Sequence, residues 1–276
     1  MKPSLVSVVI PSFNQANFLE KTIRSIVRQD YKNIEIIVID GDSNDGSKDI
    51  IRKYEKNLAF WESEPDSGQS EAINKGFRAA SGELFAWLNS DDLLTPSAIR
   101  LAASFLTTDP DLGLIYGDRI HIDQKGNVIG INRCPPFYRA MLSRNITIPQ
   151  ETAFFRREFF ELVGGLDEKL HFSMDFDLWC RLQKCTKFRH IPAFLGFYRE
   201  HGKSKSTIAS FKDIDNAGKF LDEHRMVFKR HFQADLPNAF RMKYYRLVHK
   251  MREQIYQRTV SHKLDIQQIQ SIINEG

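Results

Sequence analysis

The sequence predicts an α/β domain with a mostly parallel central sheet flanked by helices, followed by a helical C-terminal extension. Three observations carry this. Short apolar, β-branched runs alternate with segments of helical period through the first half, the pattern of a parallel sheet covered by helices. Acidic residues recur where those runs end. Beyond Lys203 only helical periodicity remains, with Phe220, Leu221, Val227, Phe228, Tyr244, Leu247 and Met251 among its apolar landmarks.

Val6 to Ile10 is a compact strand run closed by Pro11, and Ala16 to Gln29 follows as a helix carrying Phe18, Leu19, Ile23 and Ile26. Ile34 to Ile39 is a second buried strand that stops at Asp40-Gly41-Asp42. Ser47 opens a short helix, Leu58 to Trp61 reads as a third strand, and Gln69 to Ala80 is helical until Ser81-Gly82. The strand Leu84 to Leu88 runs straight into Asn89-Ser90-Asp91-Asp92. Helix 96–107 carries Pro96 in its first turn, where a missing N–H costs nothing. Leu112 to Tyr116 is the next strand. Ile120 to Asp123 and Val128 to Ile131 read as a hairpin, residues 137–148 are ambiguous, and Glu151 to Phe155 reads as a strand. Helices 156–163 and 174–184 and a strand within 188–198 complete the domain. The expected division is 1–205 for the main domain, with halves 1–117 and 118–205, and 206–276 for the extension, packed on the main domain.

The bulk numbers fit a soluble globular protein. The 276 residues are 42% hydrophobic and 27% charged, enough for one large domain with an appendage. No apolar run approaches the roughly 20 residues that span a bilayer, and no signal peptide is visible, so a cytoplasmic setting is expected. Cys134, Cys180 and Cys185 lack metal-site spacing and read as reduced thiols. The net charge of +4 is uneven: from Lys203 onward there are 14 Lys+Arg against 8 Asp+Glu. Such a tail is either a solvated helical face or a contact for an anionic surface.

The chemistry is suggested by acids at strand ends. A carboxylate at a buried edge loses hydration unless something positive compensates it. Asp91 and Asp92 repel one another there, which points to a divalent cation or a cationic partner. Oxygen ligands of this kind suit Mg²⁺ or Mn²⁺ with phosphate oxygens in the same coordination sphere. The simpler reading is that one of the pair caps the helix near Pro96. Two further clusters, Asp40-Gly41-Asp42 and Glu64-Pro65-Asp66, fall at the carboxyl ends of other strands, the edge where open α/β sheets bind ligands. No G-x-x-x-x-G-K-[ST] loop is present, and no G-x-G-x-x-G follows the first strand, so neither glycine-rich phosphate cradle is available.

Residues 5–117 resemble the nucleotide-sugar-binding half of inverting family-2 glycosyltransferases of the GT-A fold. The resemblance rests on Val8-Val9-Ile10-Pro11-Ser12-Phe13-Asn14, on Val38 to Ser47, on Glu64-Pro65-Asp66-Ser67-Gly68, on Ala72-Ile73-Asn74-Lys75-Gly76 and on Leu88-Asn89-Ser90-Asp91-Asp92. It continues through Gly164-Gly165-Leu166-Asp167-Glu168, Met174 to Trp179 and Tyr198-Arg199-Glu200-His201. About 200 residues are covered, and the extension is not.

The resemblance implies a role for each matching position. Asp40 would accept from the base edge, with Pro11, Phe13, Asn14 and Asp42 around it and Asp66 and Lys75 in the same pocket. Asn89-Ser90-Asp91 stands in place of the family's D-x-D motif, so Asn89 and Ser90 would face the nucleotide sugar while Asp91 and Asp92 hold Mn²⁺ or Mg²⁺ against the diphosphate. Asn89 replaces the first acid of that motif and retains only hydrogen bonding to a ribose. Asp175 matches the acid that deprotonates the acceptor hydroxyl, although Met174 stands where many relatives carry Glu. Asp177 is the weaker alternative, since helical geometry turns it away from Asp175. Arg199 and His201, with Lys203 and Lys205, are expected in a basic loop that closes on the diphosphate.

The expected partners are a nucleoside-diphosphate sugar, UDP-sugar favoured, and a saccharide or lipid-linked saccharide acceptor of bacterial surface polysaccharide synthesis. No nucleic acid is expected. Peripheral membrane contact through the basic C-terminal helices would suit a lipid-linked acceptor. The competing class is a catalytically inactive scaffold of the same fold, which would be expected to lose Asp91, Asp92 or Asp175. A sugar-nucleotide pyrophosphorylase would need a glycine-rich basic loop after the first strand, and Pro11 to Gln15 is not one.

Overall fold

A computed structural model describes residues 3–202, 204 and 214–259. The expected boundary at 205/206, the basic residues Lys203 and Lys205, and the segment 260–276 lie outside the described residues.

The elements run β1 (Val6–Ser12), α1 (Ala16–Val27), β2 (Ile34–Asp40), α2 (Ser47–Lys53), β3 (Phe60–Ser63), α3 (Gln69–Ala79), β4 (Leu84–Trp87), β5 (Leu93–Leu94) and α4 (Ala98–Thr108). The second half contributes β6 (Leu112–Asp123), β7 (Val128–Asn132), β8 (Phe154–Arg156), α5 (Arg157–Leu162), α6 (Met174–Leu182), β9 (Lys187–Glu200), α7 (Ile214–Phe232) and α8 (Ala239–Thr259). Among the described residues one nine-stranded sheet takes in both halves, in the order β3-β2-β1-β4-β8-β6-β9-β5, with β7 beside β6. β1 pairs in parallel with β2 and β4, and β2 with β3. The carboxyl ends of these four strands therefore share one edge.

Strand pleating sends alternate residues to opposite faces, and the core follows it. Val9, Ile37, Phe85, Trp87 and Leu114 bury toward α3, α5 and α6, while Val8, Val38, Ala86 and Ile115 bury toward α1 and α4. Trp87 and Trp179 stack at 5.6 Å inside the first face, so both are core residues, as their apolar surroundings suggest.

The second half departs from the sequence reading at three places. The sequence separates a strand at 112–116 from a hairpin at 120–131, but β6 is continuous for 12 residues. A Cβ at Gly117 would fall 2.5 Å from Leu195 Cγ and 2.6 Å from the Ala193 carbonyl oxygen. The bare glycine lets β6 pass against β9, with which it pairs in parallel as far as Asp123–Glu200. Gln150–Thr152 is a 3-10 turn, not strand, and β8 begins only at Phe154. The two-residue strand β5, which pairs with β9, carries too few residues to give a period.

The extension packs on the domain. Val227 and Phe228 of α7 are buried in the same core face as Phe176 and Trp179, and the Phe228 ring lies parallel to that of Phe176 with centroids 6.4 Å apart. Removing a buried phenyl group costs about 3–5 kcal/mol. Phe228→Ala is therefore expected to lower the unfolding free energy by at least about 2 kcal/mol in urea titration, whereas a detached appendage would leave the main transition unmoved.

Candidate active site

Three of the four parallel strands, β2, β3 and β4, deliver acids to one edge. Asp40, the last residue of β2, is fully buried, and its carboxylate accepts from Ser43 N–H (2.9 Å), Ser43 Oγ (2.6 Å) and Ser63 Oγ (2.7 Å). It thereby ties the turn after β2 to the end of β3. Asn14, at φ 51°, donates its N–H to Ser43 Oγ at 2.7 Å and locks the loop after β1 onto the same turn. Pro11 is buried, whereas the Phe13 ring is 62% exposed. A Cβ on Gly41 would lie 2.9 Å from the Asp66 carboxylate and 3.3 Å from the Phe13 ring. Gly41 thus lets an exposed aromatic ring and a carboxyl both close in on the backbone there. Burial holds the Asp66 carboxyl above the usual carboxylate range, opposed by the Gly68 N–H that it accepts.

Asp42 and Lys75 stand differently from expectation. Asp42 turns outward and pairs with Lys48. The Lys75 ammonium is paired with Glu62 and lies 3.7 Å from Glu64.

The turn after β4 carries the paired acids. Asn89 accepts from Gln69 Nε2 at 2.7 Å. The buried Thr22 hydroxyl contacts the carbonyls of Ser90 and Asp92 at 2.9 and 2.8 Å, anchoring the turn to α1. Asp91 and Asp92 then part. Asp92 is 1% exposed; it accepts the Arg199 N–H at 2.9 Å, and Asn89 Nδ2 lies 3.3 Å from its other oxygen. Burial first, and then the charges of Asp91 and Glu151, push its carboxyl well above the usual range. The Asp91 carboxylate is the more open of the two, with Oδ2 at 2.8 Å from His201 Nε2. Asp92 was expected as a second metal ligand, but it points inward and serves the turn. Among the described residues no three carboxylate, imidazole or thiolate groups converge on a metal position. Asp91 and His201 are the pair whose chemistry suits a cation, a small donor set adequate for Mg²⁺ or Mn²⁺ completed by phosphate and water oxygens.

Arg199 is a correction to the sequence reading. It lies within β9, not in a following loop, and is 1% exposed. Its Nε donates to the Asp91 carbonyl at 2.8 Å and its Nη1 to the Asp123 carbonyl at 3.2 Å, and its guanidinium stands over the Phe18 ring. The strand continues past Tyr198 because it keeps pairing with β6, and that carries the guanidinium beneath the acid turn.

Asp175 opens α6 and accepts the Phe176 N–H at 2.7 Å. Part of the residue's surface is open, but its carboxyl is enclosed, and desolvation pushes its pKa up to about 6. The Arg119 charge lowers that value and the Glu151 charge raises it, and both also act on Asp92. Arg119 and Glu151 form an ion pair, with Nε 2.8 Å from Oε1 and Nη2 donating to Oε2 at 3.0 Å. This pair was missed from sequence. The available signal was that Glu151 is the first acid after a 27-residue stretch, Gln124 to Gln150, that holds none. Asp177 is occupied elsewhere, accepting from Arg181 at 2.8 Å and lying 2.7 Å from His231 Nε2.

A second missed residue is Glu223 on α7. Its carboxylate accepts the N–H groups of His171 (2.8 Å), Phe172 (2.7 Å) and Ser173 (2.7 Å). Those are the residues just before Asp175, so the extension fixes the turn that presents it. A cavity of about 670 Å³ lined by Phe77, Phe85, Arg157 and Phe160 contains none of the expected site residues.

Residues 7–164 match the sequence profile described as Glycosyl transferase family 2. The chain belongs to that family. An uncharacterized glycosyltransferase of Rickettsia conorii is 31% identical over 226 residues, 73% of this chain and 35% of that protein. Chondroitin synthase of Pasteurella multocida is 25% identical over 97% of this chain and 27% of its own length. The chain thus spans about a third or less of these two relatives. Among solved structures, S. aureus TarS 1–349 in complex with UDP-GlcNAc superposes with a TM-score of 0.68 at 16% identity, covering 98% of this chain and 79% of that one. The mannosyltransferase PcManGT of Pyrobaculum calidifontis, in complex with GDP-Man and Mn²⁺, gives 0.64 at 18% identity with the same coverages. The family-2 glycosyltransferase fold of GT-A type expected from the motifs is the fold observed.

The raised pKa of Asp175 has a stability consequence. With a folded value near 6 against 3.8 unfolded, folding is penalised by ionisation. The penalty is absent below about pH 4, grows between the two values and is complete above about pH 6. Asp175→Asn is therefore expected to stabilise this family-2 glycosyltransferase by about 2 kcal/mol at pH 7.5 and by little at pH 3.5, measured by urea unfolding at both pH values. Glu223→Ala should speed amide exchange at residues 171–175 by about tenfold or more, read by hydrogen-exchange mass spectrometry, with exchange in β1–β4 unchanged.

Proposed function

We propose that this family-2 glycosyltransferase moves a sugar from a nucleoside diphosphate, UDP favoured, to an acceptor hydroxyl with inversion, dependent on Mn²⁺ or Mg²⁺, in bacterial cell-surface polysaccharide synthesis. One observation carries the reading. The turn after β4 sets the Asp91 carboxylate beside the His201 imidazole, and the Arg119–Glu151 pair acts electrostatically both on Asp92 of that turn and on Asp175, a carboxyl of pKa about 6. An inactive scaffold has no use for a carboxyl held near neutrality. The similarity to a chondroitin synthase, to TarS in complex with UDP-GlcNAc and to a mannosyltransferase in complex with GDP-Man supports a nucleotide-sugar donor.

The base would lie against Phe13 over Gly41, with Asp66 beside it as a hydrogen-bond partner. Asp40 would act indirectly, since its oxygens already hold the turn. Asn89 would meet the ribose or the diphosphate through its amide. Asp91 and His201 would hold the cation, which when bound supplies charge neutralisation to the departing diphosphate. Asp175 would take the proton of the acceptor hydroxyl as the oxygen attacks the anomeric carbon, a step suited to a base whose pKa lies near the working pH. Arg119 would keep Asp175 ionisable by offsetting Glu151. The enclosure that raises the Asp175 pKa would also limit water at the reacting carbon.

Thermal-shift titration with UDP tests the donor site. A stabilisation that requires both UDP and Mn²⁺ is expected, and Asp91→Ala should remove it; a full shift in EDTA would overturn the cation's part. Asp175→Asn should keep that shift while transfer from a UDP-sugar falls by at least about a hundredfold. In the unaltered protein the transfer rate should rise with pH through about 6, since only the ionised carboxylate accepts a proton.

A further inference from the structure

We propose that the outward face of α8 docks on an anionic lipid surface. The expectation of membrane contact covered the whole extension, but α7 is committed to the domain through Val227, Phe228, Glu223 and His231. The helix α8 behaves otherwise. It meets the body on one side, where the Arg144 guanidinium stands 5.3 Å from the Tyr245 ring and that of Arg252 stands 4.3 Å from the Tyr138 ring. Turned away from that side are Phe240, Tyr244, Leu247 and Met251, which are 82%, 57%, 58% and 53% exposed. Their spacing of four, three and four residues sets them in one narrow stripe. Helical geometry puts Lys243 and Lys250 along one border of the stripe and Arg241 along the other.

Charge selects the occupant. Leu236 to Arg252 contains five Lys+Arg and no acid. Two copies meeting stripe to stripe would bring these like charges together without compensation. Nucleic acid would satisfy the charge but not the exposed leucine and methionine. An anionic bilayer satisfies both, taking the apolar stripe at the acyl boundary and the basic border at the headgroups. Among the described residues no helix is long and apolar enough to cross a membrane, so this contact is of a helix lying in the interface. The segment beneath α8 is linked to the turn that presents Asp175: Asn145 Oδ1 lies 2.5 Å from His224 Nε2, and His224 Nδ1 lies 3.1 Å from Ser173 Oγ, two residues before Asp175. The contact's purpose, presenting Asp175 to a lipid-linked acceptor, rests on the proposed function; the binding does not, and is measured without turnover.

The test is co-sedimentation of the full chain with vesicles. Binding is expected with about 30 mol % phosphatidylglycerol in phosphatidylcholine and not with phosphatidylcholine alone. Lys243→Glu with Lys250→Glu, and separately Phe240→Ala with Leu247→Ala, should each weaken it about tenfold or more. Lys32→Glu with Lys56→Glu, an equal change in net charge at exposed positions elsewhere, should leave it within about twofold. Equal losses in all three variants, no loss in the first two, or no binding to anionic vesicles would overturn the proposal. So would a dimer in sedimentation velocity, or RNA binding, abolished by the same two pairs of substitutions.

Discussion

Everything at the sheet's carboxyl edge depends on the tie between the acid turn after β4 and strand β9. Two adjacent carboxylates cannot be left at a buried edge without partners, because desolvation costs several kcal/mol for each ion. Three contacts hold the turn that carries them, the first of them made to a carboxylate itself. The Arg199 N–H binds Asp92, the Arg199 guanidinium binds the Asp91 carbonyl, and Thr22 touches the carbonyls of Ser90 and Asp92. Arg199 can serve there only because β9 runs on beside β6 to Glu200, and β6 can run beside β9 only because residue 117 lacks a side chain. The result separates two chemically identical neighbours: Asp92 becomes an internal strut, and Asp91 is left at the mouth with His201.

The same logic places Asp175. A carboxyl at a helix N-terminus is ordinarily held low by the backbone N–H groups and the helix dipole. Here enclosure outweighs them, and the value stands near 6. Enclosure alone would favour the neutral acid still more; the Phe176 N–H, and after it the Arg119 charge, draw the value back down. Glu151 in turn orients Arg119, and a Cβ at residue 196 would fall 2.9 Å from the Glu151 side chain. Glu223 closes the arrangement from the other side by accepting three N–H groups from the turn before α6. The extension is thus structurally part of the site it was expected merely to accompany.

What could be read from the sequence was whatever depends on local pattern. The strands β1, β2 and β4, the helices between them, and the delivery of Asp40, Asp66 and Asp91 to one edge follow from periodicity and from the handedness of parallel crossovers. The division of labour between Asp91 and Asp92 does not, since it is decided by a strand more than 100 residues away. Arg199 looked like a loop residue because Gly202 and the neighbouring lysines read as a loop, and its burial comes from pairing with β6. Glu223 lies in a stretch of alternating charge on a helix, the usual look of a solvated face. Only the docking of Phe228 turns it toward the 171–173 turn. Tertiary pairing, not local propensity, made these choices.

The electrostatics of the edge explain why the proposed donor site calls for a cation even though two of its acids are internally compensated. Asp91 at the mouth and Asp66 beside Gly41 present negative potential to an incoming diphosphate. The arginine nearest the acid turn is committed beneath it, and Arg119 is engaged with Glu151. Lys75, which could have met a phosphate, is paired with Glu62. Asn89, with one charge fewer than the family's usual acid, lowers the repulsion but adds no attraction. A diphosphate entering alone would therefore meet carboxylates first, and at an effective dielectric of about 20 a single like-charge contact at 4 Å costs about 4 kcal/mol. Positive charge carried in with the nucleotide would remove that cost beside the more open of the paired acids, which is the physical reason the proposed cation is given to Asp91 rather than to the Asp91–Asp92 pair.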